Sequence, residues 1–77
     1  MTRLAQRIRD WRREKGLTQV KAAGKLGVSQ ASLSAWEVGV GVPSLTNVHR
    51  MARVMRVPVG VLLVEADDAA LQRTAAQ

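Results

Sequence analysis

The stretch that most restricts how this 77-residue chain can fold is LTQVKAAGKLGVSQASLSAWEVG, Leu17 to Gly39. Thr18 carries an N-cap side chain, and the residues after it, Gln19 to Leu26, form two helical turns. Gly27 supplies the left-handed conformation at which helices commonly stop, because it has no Cβ to clash. Ser29 is a second N-cap candidate, opening a segment that ends at Glu37. The stretch therefore predicts helices over 18–26 and 29–37, joined by a turn short enough to hold them at a fixed angle.

The faces of these helices differ. Ala23, Val28 and Leu33 are spaced to seal the angle from inside, with Trp36 one turn beyond Leu33. Gln30, Ala31, Ser34 and Ala35 fall at i, i+1, i+4 and i+5 and share the opposite face of the second helix. That face carries small or short polar groups and no charge. A helix so furnished fits the major groove of duplex DNA, where base edges are exposed. The bland alternative is an ordinary surface helix, since short helix–glycine–helix patterns are common.

The flanking sequence predicts three more helices. Thr2 caps one over 3–15, whose apolar stripe is Leu4, Ile8 and Trp11. After the loop VGVGVPS, Ser44 caps another over 45–56, with Leu45, Val48, Met51, Ala52 and Met55 expected inward. Pro58 opens a short fifth helix over 59–64. The segment Val57–Val64 is more apolar than one face of a short helix requires, and a surplus of this kind marks a partner surface, most economically a second copy of the chain. Residues 1–64 are thus expected to form the domain, followed by an acidic, Ala-rich tail over 65–77, either briefly helical or disordered. Gly24 interrupts a predicted helix, which suggests close approach to another helix or to a DNA backbone.

Charge narrows the partner. The net charge is +6, but residues 1–64 hold eleven Lys or Arg against Asp10, Glu14 and Glu37, while 65–77 hold Arg73 against three acids. A basic domain with an acidic tail suits a polyanion such as nucleic acid, although arginine also serves simple solubility. A basic amphipathic first helix could lie on a membrane, but its narrow stripe is used up by a core. No apolar run approaches the ~20 residues that span a bilayer, nor is there a signal-peptide segment, so a soluble, cytoplasmic chain is expected. There is no Cys, and His49 is the sole histidine, so neither a metal nor another cofactor is expected. No phosphate-cradling Gly loop or nucleophile–base pair suggests an enzyme.

The order TQ…A-x-x-x-G-V-S-Q-x-S-L-S-x-W-E-x-G…P-S…A…V-P…L resembles the phage-repressor and Cro-like (XRE-type) helix-turn-helix family over about residues 4 to 63. The resemblance implies an all-α, five-helix bundle of the lambda-repressor type with helix 29–37 in the major groove. It implies that Gln19 touches a phosphate and braces Gln30, that Gln30 pairs with an adenine, and that Arg12 pairs with Glu37 and reaches the DNA backbone. It also implies that the helix N-terminus at Ser44 offers N–H groups to a phosphate. Ala31 and Ala35 stand where relatives often place polar or basic readers, and the loop Val38–Val42 lacks their phosphate-binding Lys or Arg. The expected DNA-contacting set is therefore Arg12, Gln19, Lys21, Ser29, Gln30, Ala31, Ser32, Ser34, Ala35 and Ser44, with more discrimination from DNA shape than usual. The function implied is a sequence-specific transcriptional regulator, most simply a repressor acting as a homodimer on a palindromic operator. The alternative is an antitoxin or accessory subunit of the same fold, with a protein partner at its C-terminal end.

Overall fold

The computed structural model describes residues 2–75, with the side chains of 73–75 left aside. Five helices follow one another: α1 Arg3–Glu14, α2 Gln19–Leu26, α3 Gln30–Glu37, α4 Leu45–Met55 and α5 Val59–Ala75. Four begin at hydroxyl N-caps. The side chains of Thr2, Thr18, Ser29 and Ser44 accept from the backbone N–H groups of Ala5, Lys21, Ser32 and Asn47. Each such cap satisfies an orphan donor and is worth ~1 kcal/mol.

The ends of α1 to α4 close alike. Leu17, Val28, Val40 and Val57 each donate a backbone N–H to the carbonyl five residues back, on Arg12, Ala23, Ala35 and Ala52. The residue just before each donor has positive φ, as this closure demands. It is Gly16, Gly27 and Gly39 in three cases and Arg56, at φ 59°, in the fourth.

α1 packs on α3 and α5, α2 on α3 and α4, and α4 on α5. Leu4, Ile8, Leu26, Leu33, Val48, Met51 and Leu62 are the largest fully buried side chains, and Trp11 and Trp36 close the core at its margins. Ala23 and Leu33 are buried at the α2–α3 crossing, with Val28 half-buried against them.

Three expectations change. Leu45 is not part of the inward stripe of α4 and is 63% exposed. It lies at the first residue of the helix, on the flank shared with His49, Arg50 and Arg53, and no other element covers it there. The helix expected to stop at Val64 continues to Ala75. Leu62, Ala66 and Ala69 recur at i, i+4 and i+7 and are all buried, so the continuation is held by the core. Glu65, 3% exposed, faces α1 and takes a bidentate ion pair from Arg7, with Nε–Oε1 2.6 Å and Nη2–Oε2 2.9 Å. Gly24 approaches no helix: a Cβ built on it would meet nothing within 4 Å.

Candidate nucleic-acid interface

Ser29 and Ser32 together build the start of α3. Ser29 Oγ accepts from the Ser32 N–H at 3.1 Å and donates to Ser32 Oγ at 3.0 Å. The Ser32 hydroxyl is half-buried in this cap but keeps its own proton to donate outward. Gln30 and Ala31 are exposed, whereas Ser34 and Ala35 are half-buried. The loop after α3 is the reason, since Val40 and Gly41 both donate to the Ala35 carbonyl, at 2.9 and 3.4 Å, and bring Gly41 over the alanine. The open part of the α3 surface is therefore its first turn.

A buried carboxylate holds α3 to the elements around it. Glu37, at the last turn of α3, is 3% exposed. Arg12 of α1 donates to it from Nε at 2.7 Å and Nη2 at 3.0 Å, and Gln19 of α2 donates from Nε2 at 3.3 Å. The third Arg12 nitrogen, Nη1, donates to the Leu17 carbonyl at 3.1 Å, which pins the α1–α2 connection as well. Three helices and a linker thus meet around the Arg12–Glu37 pair. The hydrogen bond to Glu37 raises the Arg12 pKa above its ordinary value despite the opposing effect of burial, so the guanidinium stays charged. Planar, bidentate geometry of this kind fixes direction as well as distance.

This arrangement alters two of the expected roles. Every Arg12 nitrogen already donates within the protein, so the residue acts here as a brace between helices. The Gln19 amide is turned to Glu37, and among the described residues it makes no hydrogen bond to Gln30. Lys21 is exposed on α2, and the Ser44 hydroxyl caps α4 through the Asn47 N–H at 3.3 Å.

Sequence reasoning missed Arg50. From α4 it donates through Nη1 to the Gly27 carbonyl at 3.0 Å, so the turn between α2 and α3 is also held from behind. Its spacing relative to the apolar stripe of this helix put it, with Arg53 and Arg56, on the solvated side, and nothing pointed to Gly27. Val20, in the first turn of α2, and Val38 and Val40, just after α3, are also exposed. Among the described residues no cluster of His, Cys, Asp or Glu could hold a metal ion, and no helix is long and apolar enough to cross a membrane.

The profile of the family described as helix-turn-helix matches residues 8–62. An uncharacterised HTH-type transcriptional regulator of Methanothermobacter thermautotrophicus is 44% identical over 48 residues, covering 62% of this chain and 70% of the relative. The cryptic phage CTXphi transcriptional repressor RstR of Vibrio cholerae is 32% identical over 63 residues. That match covers 82% of this chain but only 57% of the repressor's length. No solved structure gives a significant match. The profile match spans most of the chain and takes in the caps of α2 to α4, the turn and the Arg12–Glu37 brace, and the chain belongs to the XRE-type helix-turn-helix family of DNA-binding transcriptional regulators.

Proposed function

We propose that this chain is a repressor that reads a palindromic operator as a homodimer, with the first turn of α3 in the major groove. The observation that carries this reading is an uncharged, exposed Gln30–Ala31 edge on a helix whose other end is locked by Arg12, Gln19 and Glu37. A helix held at both ends can present a side-chain amide at a fixed angle, as bidentate pairing with adenine requires. Ala31 suits a thymine methyl, while Ser32 and Ser34 add single hydrogen bonds. Ala35 contributes at most a van der Waals edge. Phosphate anchoring falls to Lys21, to the Gln19 amide after it swings from Glu37, and to the N-termini capped by Ser29 and Ser44. Arg12 serves by positioning. The named repressor among the relatives supports repression, and a DNA partner is consistent with a cytoplasmic protein.

The dimer surface is narrower than the whole segment Val57–Val64. Leu62 is buried and Val57, Val59 and Leu63 pack against the core, which leaves Val61 and Val64 outward. With Leu71 they form an exposed stripe at i, i+3 and i+10 along α5. Replacing Val61 and Val64 together by Asp should leave a folded monomer in sedimentation velocity and weaken operator binding steeply. A variant that still sediments as a dimer would move the interface elsewhere.

Selection from randomised duplex DNA at physiological salt, with Gln30→Ala run in parallel, tests the reading. The wild type should enrich a palindrome, and the variant should relax one position in each half-site, at a cost of ~1–3 kcal/mol per amide–adenine pair. Equal loss of affinity for selected and random DNA in the variant would refute the role of Gln30. Tight but unselective binding by the wild type, falling steeply with salt, would refute sequence-specific reading altogether.

A further inference from the structure

A cavity of about 330 Å³ lies away from Gln30, lined by Trp11, Lys15, Lys25, Val54, Met55 and Arg56. Its volume is at the lower end of the range for small-ligand sites, roughly 300–1,000 Å³. The charges lining it are three cations, and no carboxylate is among them. Among the described residues none of the three is in an ion pair. Trp11, Val54 and Met55 supply an apolar wall.

Cations collect here partly because helices end here. Lys15 caps α1, Lys25 is in the last turn of α2 and Arg56 caps α4, and positive charge favours helix C-termini. That does not explain Arg56. The chain uses glycine at three of its four equivalent helix closures and arginine only at the fourth, in a left-handed conformation that costs a residue with a Cβ about 1 kcal/mol. Backbone strain retained at one position, while glycine solves the same problem three times elsewhere, indicates a use for the side chain.

We propose that this cavity binds a phosphate-type oxyanion, with Lys15, Lys25 and Arg56 around the anion and Trp11 and Met55 against whatever carries it. Two sources share this chemistry: a free phosphorylated small molecule, which would make the chain ligand-responsive, and a backbone phosphate of bound DNA.

Arg56→Gly is the informative variant because glycine is the residue its backbone prefers, so the fold is retained. NMR titration of the isotope-labelled protein with adenosine monophosphate, with uncharged adenosine as control, reports on the free ligand without any DNA. For that source, saturable shifts are expected at the Trp11 indole N–H and at Lys15, Lys25 and Arg56. They should weaken about tenfold in Arg56→Gly and in Lys25→Ala, the usual order for losing one charge-assisted contact. The second arm measures the salt dependence of binding to a random duplex. If DNA is the source, each variant loses about 0.9 from the salt slope and the nucleotide produces no shifts. Absence of nucleotide shifts together with unchanged salt slopes would overturn the proposal. So would an Arg56→Gly protein that is less stable than wild type, since the arginine would then be retained for folding. The nucleotide arm stands or falls independently of whether Gln30 reads an operator.

Discussion

The Glu37 brace should behave as a coupled unit, and its strength can be worked from the structure. Replacing Arg12 by Met leaves the Glu37 carboxylate 3% exposed with one remaining donor, Gln19 Nε2 at 3.3 Å. Removing one partner of a buried pair costs about 3–5 kcal/mol, because the other charge is stranded away from water. The Arg12 side chain is 18% exposed, so water reaches the vacated side of the carboxylate and the low end, about 3 kcal/mol, is expected. Glu37→Met strands a guanidinium that can turn outward, and about 2 kcal/mol is reasonable there. In the double variant both charges are gone and two thioethers fill a similar volume, which is often close to neutral. The Leu17 carbonyl loses its donor in Arg12→Met and in the double variant alike, so that cost cancels from the cycle. The coupling energy should therefore be at least about 2 kcal/mol. A domain of 77 residues has only about 4–12 kcal/mol in all, so the Arg12 single variant should be visibly marginal. Urea unfolding followed by the fluorescence of the two core tryptophans, Trp11 and Trp36, measures each corner of the cycle. Additive single and double variants, with coupling below about 0.5 kcal/mol, would refute the claim that this carboxylate holds α3 in place.

Other expectations follow from single positions. Gly24→Ala should raise stability by about 0.5–1 kcal/mol, since the added Cβ meets nothing and the helix gains propensity. If DNA affinity falls in that variant while the melting temperature rises, the glycine is there to admit a DNA backbone; unchanged affinity would dismiss that role. Glu65→Gln should destabilise by about 1 kcal/mol, not the full cost of a buried pair, because the Arg7 side chain is 35% exposed and recovers solvent. Deleting residues 65–77 should cost considerably more, because Ala66 and Ala69 leave the core as well. Thermal melts that show no difference between the deletion and Glu65→Gln would mean that these alanines contribute nothing to stability.

What was legible in the sequence was whatever is encoded locally. N-cap hydroxyls and helix-ending glycines act within a few residues, so the starts of α1 to α4 and the turn at Gly27 could be placed to within a residue or so. The fifth helix was cut short because its continuation is anchored by alanines. Leu62, Ala66 and Ala69 have helical spacing, but an alanine signals burial weakly and the acids between them suggested a solvated tail. Leu45 departs for the opposite reason: a large apolar residue at helical spacing reads as core, although whether it is covered depends on a neighbour that no local pattern reveals. The same distinction runs through the candidate site. The pairing of Arg12 with Glu37 came from family resemblance, since nothing in two residues 25 apart announces a salt bridge. The direction of the Gln19 amide and the Arg50 contact to Gly27 came only with the packed structure. The exposed Gln30–Ala31 edge belongs to a short local element and can be changed without touching the core. Under the proposed reading, the angle at which that edge would meet DNA is set by Glu37, Arg12 and Arg50 from three different helices. Substitutions at Gln30 and Ala31 should therefore change which bases are preferred, whereas substitutions in the brace should blur preference at every position together.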